Sequence, residues 1–124
     1  MHRTANTRET LVKYVMLILD TPAEPAPQTP EWNAWYAEVG AWYEKWGATG
    51  RLEGGHQLQG PNTAKTVRGG EVTDGPFIET KEVLGGYSVL DADSIDDAVQ
   101  VAKTWPGVDR GWITMEVRPV IEMG

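Results

Sequence analysis

The 124-residue sequence contains no cysteine. That excludes disulfides, thiol nucleophiles and thiolate metal sites together, and it fits a reducing cytoplasm. Serine is almost as scarce: only Ser88 and Ser94 occur, and neither stands in a nucleophile elbow. Basic charge is short as well, with 11 Lys and Arg against 18 Asp and Glu for a net −7. Without a local basic stripe, such a chain repels a phosphate backbone, so no nucleic-acid partner is expected. Long apolar runs are missing. "LVKYVMLIL" has nine residues and includes Lys13, which is too short to span a bilayer and too far in for a usual signal peptide. The expectation is a cytoplasmic protein without a membrane segment.

What is present reads as one α+β domain over residues 11–124, after a polar lead-in over 1–10. Residues 11–20, "LVKYVMLILD", are rich in Val, Ile and Leu and predict a central strand covered on both faces. "TPAEPAPQTP" (21–30) holds four prolines and forms a stiff surface connection. A helix follows, with Thr29 as its cap and Pro30 in its first turn. Trp32, Trp35, Tyr36, Val39, Trp42, Tyr43 and Trp46 fall at the spacing of one helical face, and Gly47 and Gly50 end it. Residues 51–60 predict an irregular strand kinked at Gly54-Gly55. "VRGGEV" is a two-residue hairpin signal, because both glycines accept positive φ. Strands at 86–93 and 112–120 flank a helix opened by Ser94, with Asp97 as its capping partner. The order β-α-β-β-β-α-β is that of a ferredoxin-like split βαβ with an inserted hairpin strand. Helices on one face leave the other sheet face bare, so a homodimer packed sheet to sheet is expected.

Between Asp74 and Gly85 runs "DGPFIETKEVLG". Pro76 removes a backbone donor and turns Asp-Gly from a hairpin into an exit from the sheet. A loop this long, with apolar anchors, marks a candidate site carrying Asp74, Glu79 and Lys81. Asp74 serves equally well as a turn cap, and Glu79 with Lys81 as a solvated pair. Of the two histidines, His2 lies in the lead-in. His56, in "GGHQLQ", is the candidate proton shuttle. If its strand runs beside the hairpin, Asp74 orients His56 as a general base; otherwise His56 is a polar residue at a strand bulge. Trp35 and Tyr87 are candidate aromatic contacts for a planar ligand. No metal-ligand spacing, phosphate loop or cofactor motif is present.

The stretch "VTDGPFIETKEVLGGYSVLDADSIDDAVQVA", with "TVRGGEVTDGPF", "GGHQL" and the closing "EVRPV", resembles the DGPF subgroup of the YCII-related proteins over residues 12 to 120. The resemblance implies a ferredoxin-like dimeric α/β barrel and no defined activity. For some relatives it implies an association with extracytoplasmic-function sigma factors. The wider family's implied acid–base pair is a His on the first helix and an Asp near that helix's end. The first helix here carries no His and ends "EKWGATG", so that pair does not carry over. Three functions follow as expectations. The first is binding of a small polar or aromatic metabolite near the DGPF loop. The second is a cofactor-free lyase, isomerase or dehalogenase-like activity with His56 and Asp74. The third is an accessory role in sigma-factor-linked regulation.

Overall fold

A computed structural model describes residues 12–122 of the chain; the lead-in with His2 lies outside them. The elements are β1 (Val12–Asp20), α1 (Pro30–Gly47), β2 (Leu52–Gln57), a 3-10 turn (Pro61–Thr63), β3 (Lys65–Arg68), β4 (Glu71–Asp74), β5 (Val83–Ala92), α2 (Ile95–Lys103) and β6 (Ile113–Pro119). Four strands form one antiparallel sheet in the order β2-β5-β1-β6. The units β1-α1-β2 and β5-α2-β6 interleave, which is the ferredoxin-like arrangement expected. The hairpin is not inserted in that sheet: β3 and β4 pair only with each other, as a separate ribbon. Gly69 and Gly70 turn it at φ 57° and 85°, the left-handed pair that a two-residue turn requires.

Both helix starts follow from their caps. Thr29 Oγ1 accepts from Trp32 N at 3.2 Å. Ser94 Oγ accepts from Asp97 N at 3.1 Å, while Asp97 Oδ2 reaches back to accept from Asp93 N at 3.1 Å. Each cap satisfies amides that the helix itself leaves open, worth about 1 kcal/mol.

The core lies between the helices and one sheet face. Tyr14, Met16 and Ile18 of β1 and Leu90 and Ala92 of β5 alternate toward it. Trp35 and Trp42, two turns apart on α1, and Ala98, Val101 and Ala102 of α2 close it. The indole N–H of Trp35 donates to Pro106 O, and that of Trp42 to Thr104 Oγ1, each at 2.9 Å. Val15, Leu17 and Leu19 of β1, with Tyr87 and Val89 of β5, alternate to the opposite face. No described helix covers that face, so within one chain β1 is central but covered on one side only.

β5 begins three residues earlier than its sequence pattern indicates. Val83 and Leu84 pair with Asp20 and Leu19, and the register then shifts at Gly85 before Gly86 pairs with Ile18. The irregular connection is therefore confined to residues 75–82.

Candidate functional site

α1 does not close down on the sheet along its whole length. Near the ends of β1 and β2 it leaves a cavity of about 480 Å³, bordered also by Glu24 and Pro27 of the segment between β1 and α1. Trp32, Trp35, Tyr36 and Tyr43 of α1 line one side, with Trp105 beyond α2; Gly55, Gln57, Gly85 and Gly86 bring the sheet backbone up to the other. Trp32 and Tyr36 stack at 4.6 Å between centroids, 14° from parallel. This i, i+4 pair follows from helical spacing.

Asp20 and Glu24 stand at one end. The amide of Glu24 donates to Thr21 O at 3.1 Å, and Thr21 is itself held by Gly111 O at 2.8 Å through its hydroxyl. This turn folds Glu24 back onto the residue that ends β1. Among the described residues, no donor reaches the buried Oε1 of Glu24. Burial, then a hydrogen bond to Asp20 and repulsion by its charge, push the Glu24 pKa up from 4.5 to about 8. Beside the Asp20 carboxylate, in a partly dry site, Glu24 therefore keeps its proton at neutral pH. Gly85 makes the pair sterically possible, because a Cβ there would run into the Asp20 carboxylate.

Two further polar pairs involve tyrosines that line the cavity. Tyr36 OH donates to Gln57 Oε1 at 2.7 Å. Tyr43 OH and the fully buried Ser88 Oγ share a 2.8 Å hydrogen bond. No lysine or arginine lines the cavity among the described residues. Among the described residues, no group of three or more His, Asp or Glu is placed to hold a metal ion, and no helix is long and apolar enough to cross a membrane.

Of the residues expected from the sequence, Trp35 lines the cavity. His56 borders it through its strand, but it pairs with Tyr87 and its ring lies 5.9 Å from the Tyr87 ring, so both side chains share the open sheet face. Asp74 stands on the ribbon, 86% exposed at its side chain and paired with Lys65. The structure does not join His56 to Asp74: they belong to different sheets, and no hydrogen bond links them among the described residues. Glu79 and Lys81 are exposed. Glu79 edges a second, wider hollow of about 910 Å³ between residues 58–64 and 75–84, which neither Asp74 nor Lys81 lines. The sequence reading missed Asp20, Glu24, Tyr36, Gln57 and Tyr43. Its one available signal was an acid at the end of β1 followed four residues later by another, inside a proline-rich segment.

A ferredoxin-like domain with an aromatic, doubly acidic cleft under its first helix is thus defined. The chain belongs to the YCII-related domain family, whose model matches residues 12–124. It is 34% identical over 87 residues to "Uncharacterized protein R00369" of Rhizobium meliloti (strain 1021), covering 67% of this chain and 70% of that one. Among solved structures it is similar in fold to 5-chloro-2-hydroxyhydroquinone dehydrochlorinase (TftG) from Burkholderia phenoliruptrix AC1100, in complex with 2,5-dihydroxybenzoquinone. That match has a TM-score of 0.55 and 17% identity, and covers 90% of this chain and 95% of the other.

Proposed function

We propose that the cleft binds a small, planar, oxygenated organic compound and moves a proton on it without a cofactor. The observation that carries this is the Asp20–Glu24 pair, in which Glu24 stays protonated up to about pH 8. A paired acid and base at one site supply both halves of an enolisation or elimination. Asp20 takes a proton from the substrate, and Glu24 gives its own to the oxygen or leaving group that develops charge. Trp32, Tyr36 and Tyr43 hold a flat ring, and a volume of about 480 Å³ suits a single-ring compound. A neighbour of the same fold titled as a dehydrochlorinase, in complex with a dihydroxybenzoquinone, supports the compound class by likeness of fold. The "DGPF" residues, Asp74 to Phe77, support membership of the DGPF subgroup within that family.

The protein acts, on this reading, as a homodimer joined through the open sheet face. Val15, Leu17, Leu19 and Val89 form an apolar strip there. At its margins Lys13 pairs with Glu53, and Arg118 with Glu116. The patch is therefore largely neutralised within each chain and meets its own copy without like-charge repulsion despite the net −7.

The test combines a thermal-shift screen of hydroxylated aromatics and quinones with a ¹³C-NMR titration of the carboxyl groups. A stabilising ligand and a Glu24 resonance titrating near 8 are expected. If Glu24 titrates as an ordinary carboxylate, or no such compound binds, the reading fails.

A further inference from the structure

The β3–β4 ribbon stands apart from the sheet with an apolar side turned outward. Val67 and Val72 are directly opposite each other, so they share one side of the ribbon, and they are 72% and 63% exposed. A two-stranded ribbon alone is marginal in water, and this one pairs with no other described strand. Leu58, Phe77, Ile78 and Leu84 of the flanking chain are exposed as well. Residues 58–84 thus hold six of the nine large apolar residues left exposed among the described residues. They adjoin the open sheet face. Leu58, Ile78 and Leu84 wall the hollow of about 910 Å³, together with Leu19 from the end of the sheet's apolar strip. Ala64 and Gly75, which also line it, form the base of the ribbon, where the Gly75 N–H donates to Ala64 O at 2.8 Å. Strip, hollow and ribbon follow one another along the surface.

Area decides what covers them. A stable interface buries about 800 Å² on each partner, somewhat more than half of it apolar. Val15, Leu17, Leu19 and Val89 are only partly exposed and offer on the order of 200 Å², too little for a homodimer on their own. The six residues between 58 and 84 add roughly 500 Å², which closes the gap. Charge also fits a second copy. Lys65 pairs with Asp74, and Arg68 opposes Glu71 in register, so the ribbon carries no net charge that would steer it to a strongly acidic or basic partner.

We infer that the ribbon is an arm that clasps a second copy of this chain. Val67 and Val72 of each copy fill the other's hollow, against Leu58, Ile78 and Leu84, and two-fold symmetry makes the exchange reciprocal. This rests on the homodimer through the open sheet face and adds the element that completes it.

Sedimentation of the full chain compares the wild type with Val67→Asp and Leu17→Lys. Val67→Asp should weaken the dimer at least about tenfold, as burying an unpaired carboxylate requires. The chain has no cysteine, so Val72→Cys and Ile78→Cys can be made as separate proteins and mixed under mild oxidation. A disulfide joining one to the other should form in preference to either joining to itself. That disulfide reports the same contact should Val67→Asp fail to fold. The inference is overturned if Val67→Asp leaves the dimer unchanged while Leu17→Lys dissociates it, because the sheet face then suffices, or if no mixed disulfide forms. A wild-type chain that sediments as a monomer removes the homodimer itself, and the arm falls with it.

Discussion

Replacing Glu24 with Gln tests the carboxyl pair without any knowledge of the substrate. The folded chain holds the Glu24 proton to about pH 8, whereas the unfolded chain releases it near 4.5. Between those values the folded state binds more protons, so stability falls as pH rises through that window and is fully present below it. At about 1.4 kcal/mol per pH unit, the interval from 4.5 to about 8 sets a ceiling near 5 kcal/mol. Glu24 is only half-buried, and solvent screening reduces the expected effect to roughly 2 kcal/mol. Gln keeps the shape of the protonated acid and cannot ionise. Urea unfolding from pH 4.5 to 9 should therefore show Glu24→Gln matching the wild type at the acid end and exceeding it by roughly 2 kcal/mol at the alkaline end, with the m-value unchanged. Other carboxylates contribute to both curves, so the difference between them isolates Glu24. Parallel curves would refute the pair.

Gly85→Ala should displace the Asp20 carboxylate and bring the Glu24 titration back toward its ordinary value, read by ¹³C NMR; an unmoved Glu24 would mean that Gly85 has no positioning role. Tyr43→Phe strands the buried Ser88 hydroxyl and should cost about 1–3 kcal/mol, seen as a lower urea midpoint. Leu17→Lys puts a charge in the middle of the open sheet face and should convert a dimer to a monomer by sedimentation; a wild-type monomer would remove the proposed interface. His56→Ala and Asp74→Asn should leave the Glu24 titration and any cleft binding unchanged, and a large effect of either would restore the acid–base pair read from the sequence.

The helices were legible because their signals are local. Seven aromatic or apolar residues at helical spacing, between Thr29 and Gly47, fix α1, and Ser94 with Asp97 fixes the start of α2. The face of His56 was not legible. Leu52 opposes the buried Leu90, and simple alternation from Leu52 would turn His56 toward the helices and the cleft. The bulge between Leu52 and Gly54 inserts one residue and reverses that parity, sending His56 to the open face beside Tyr87. The acid pair was hidden for a different reason. Prolines at 22, 25 and 27 mark a segment without regular structure, yet one turn anchored through Thr21 to Gly111, 90 residues away, brings Glu24 over Asp20. No local pattern encodes a contact made at that distance.

The segment from Thr73 to Tyr87 divides its labour accordingly. Its acid lies on the ribbon: Asp74 pairs with Lys65 across it, while Gly75, at φ 88°, donates its N–H to Ala64 O at 2.8 Å where the chain leaves β4. Its double glycine reaches the site. Gly85 occupies the register shift where β5 meets the end of β1, and its missing side chain leaves the space that the Asp20 carboxylate fills. A longer side chain at Gly85 would separate Asp20 from Glu24 without removing either acid. Charge drew attention to the acidic start of this run, but the carboxylates that face each other lie elsewhere in the sequence. What the run supplies to the cleft is room for one of them.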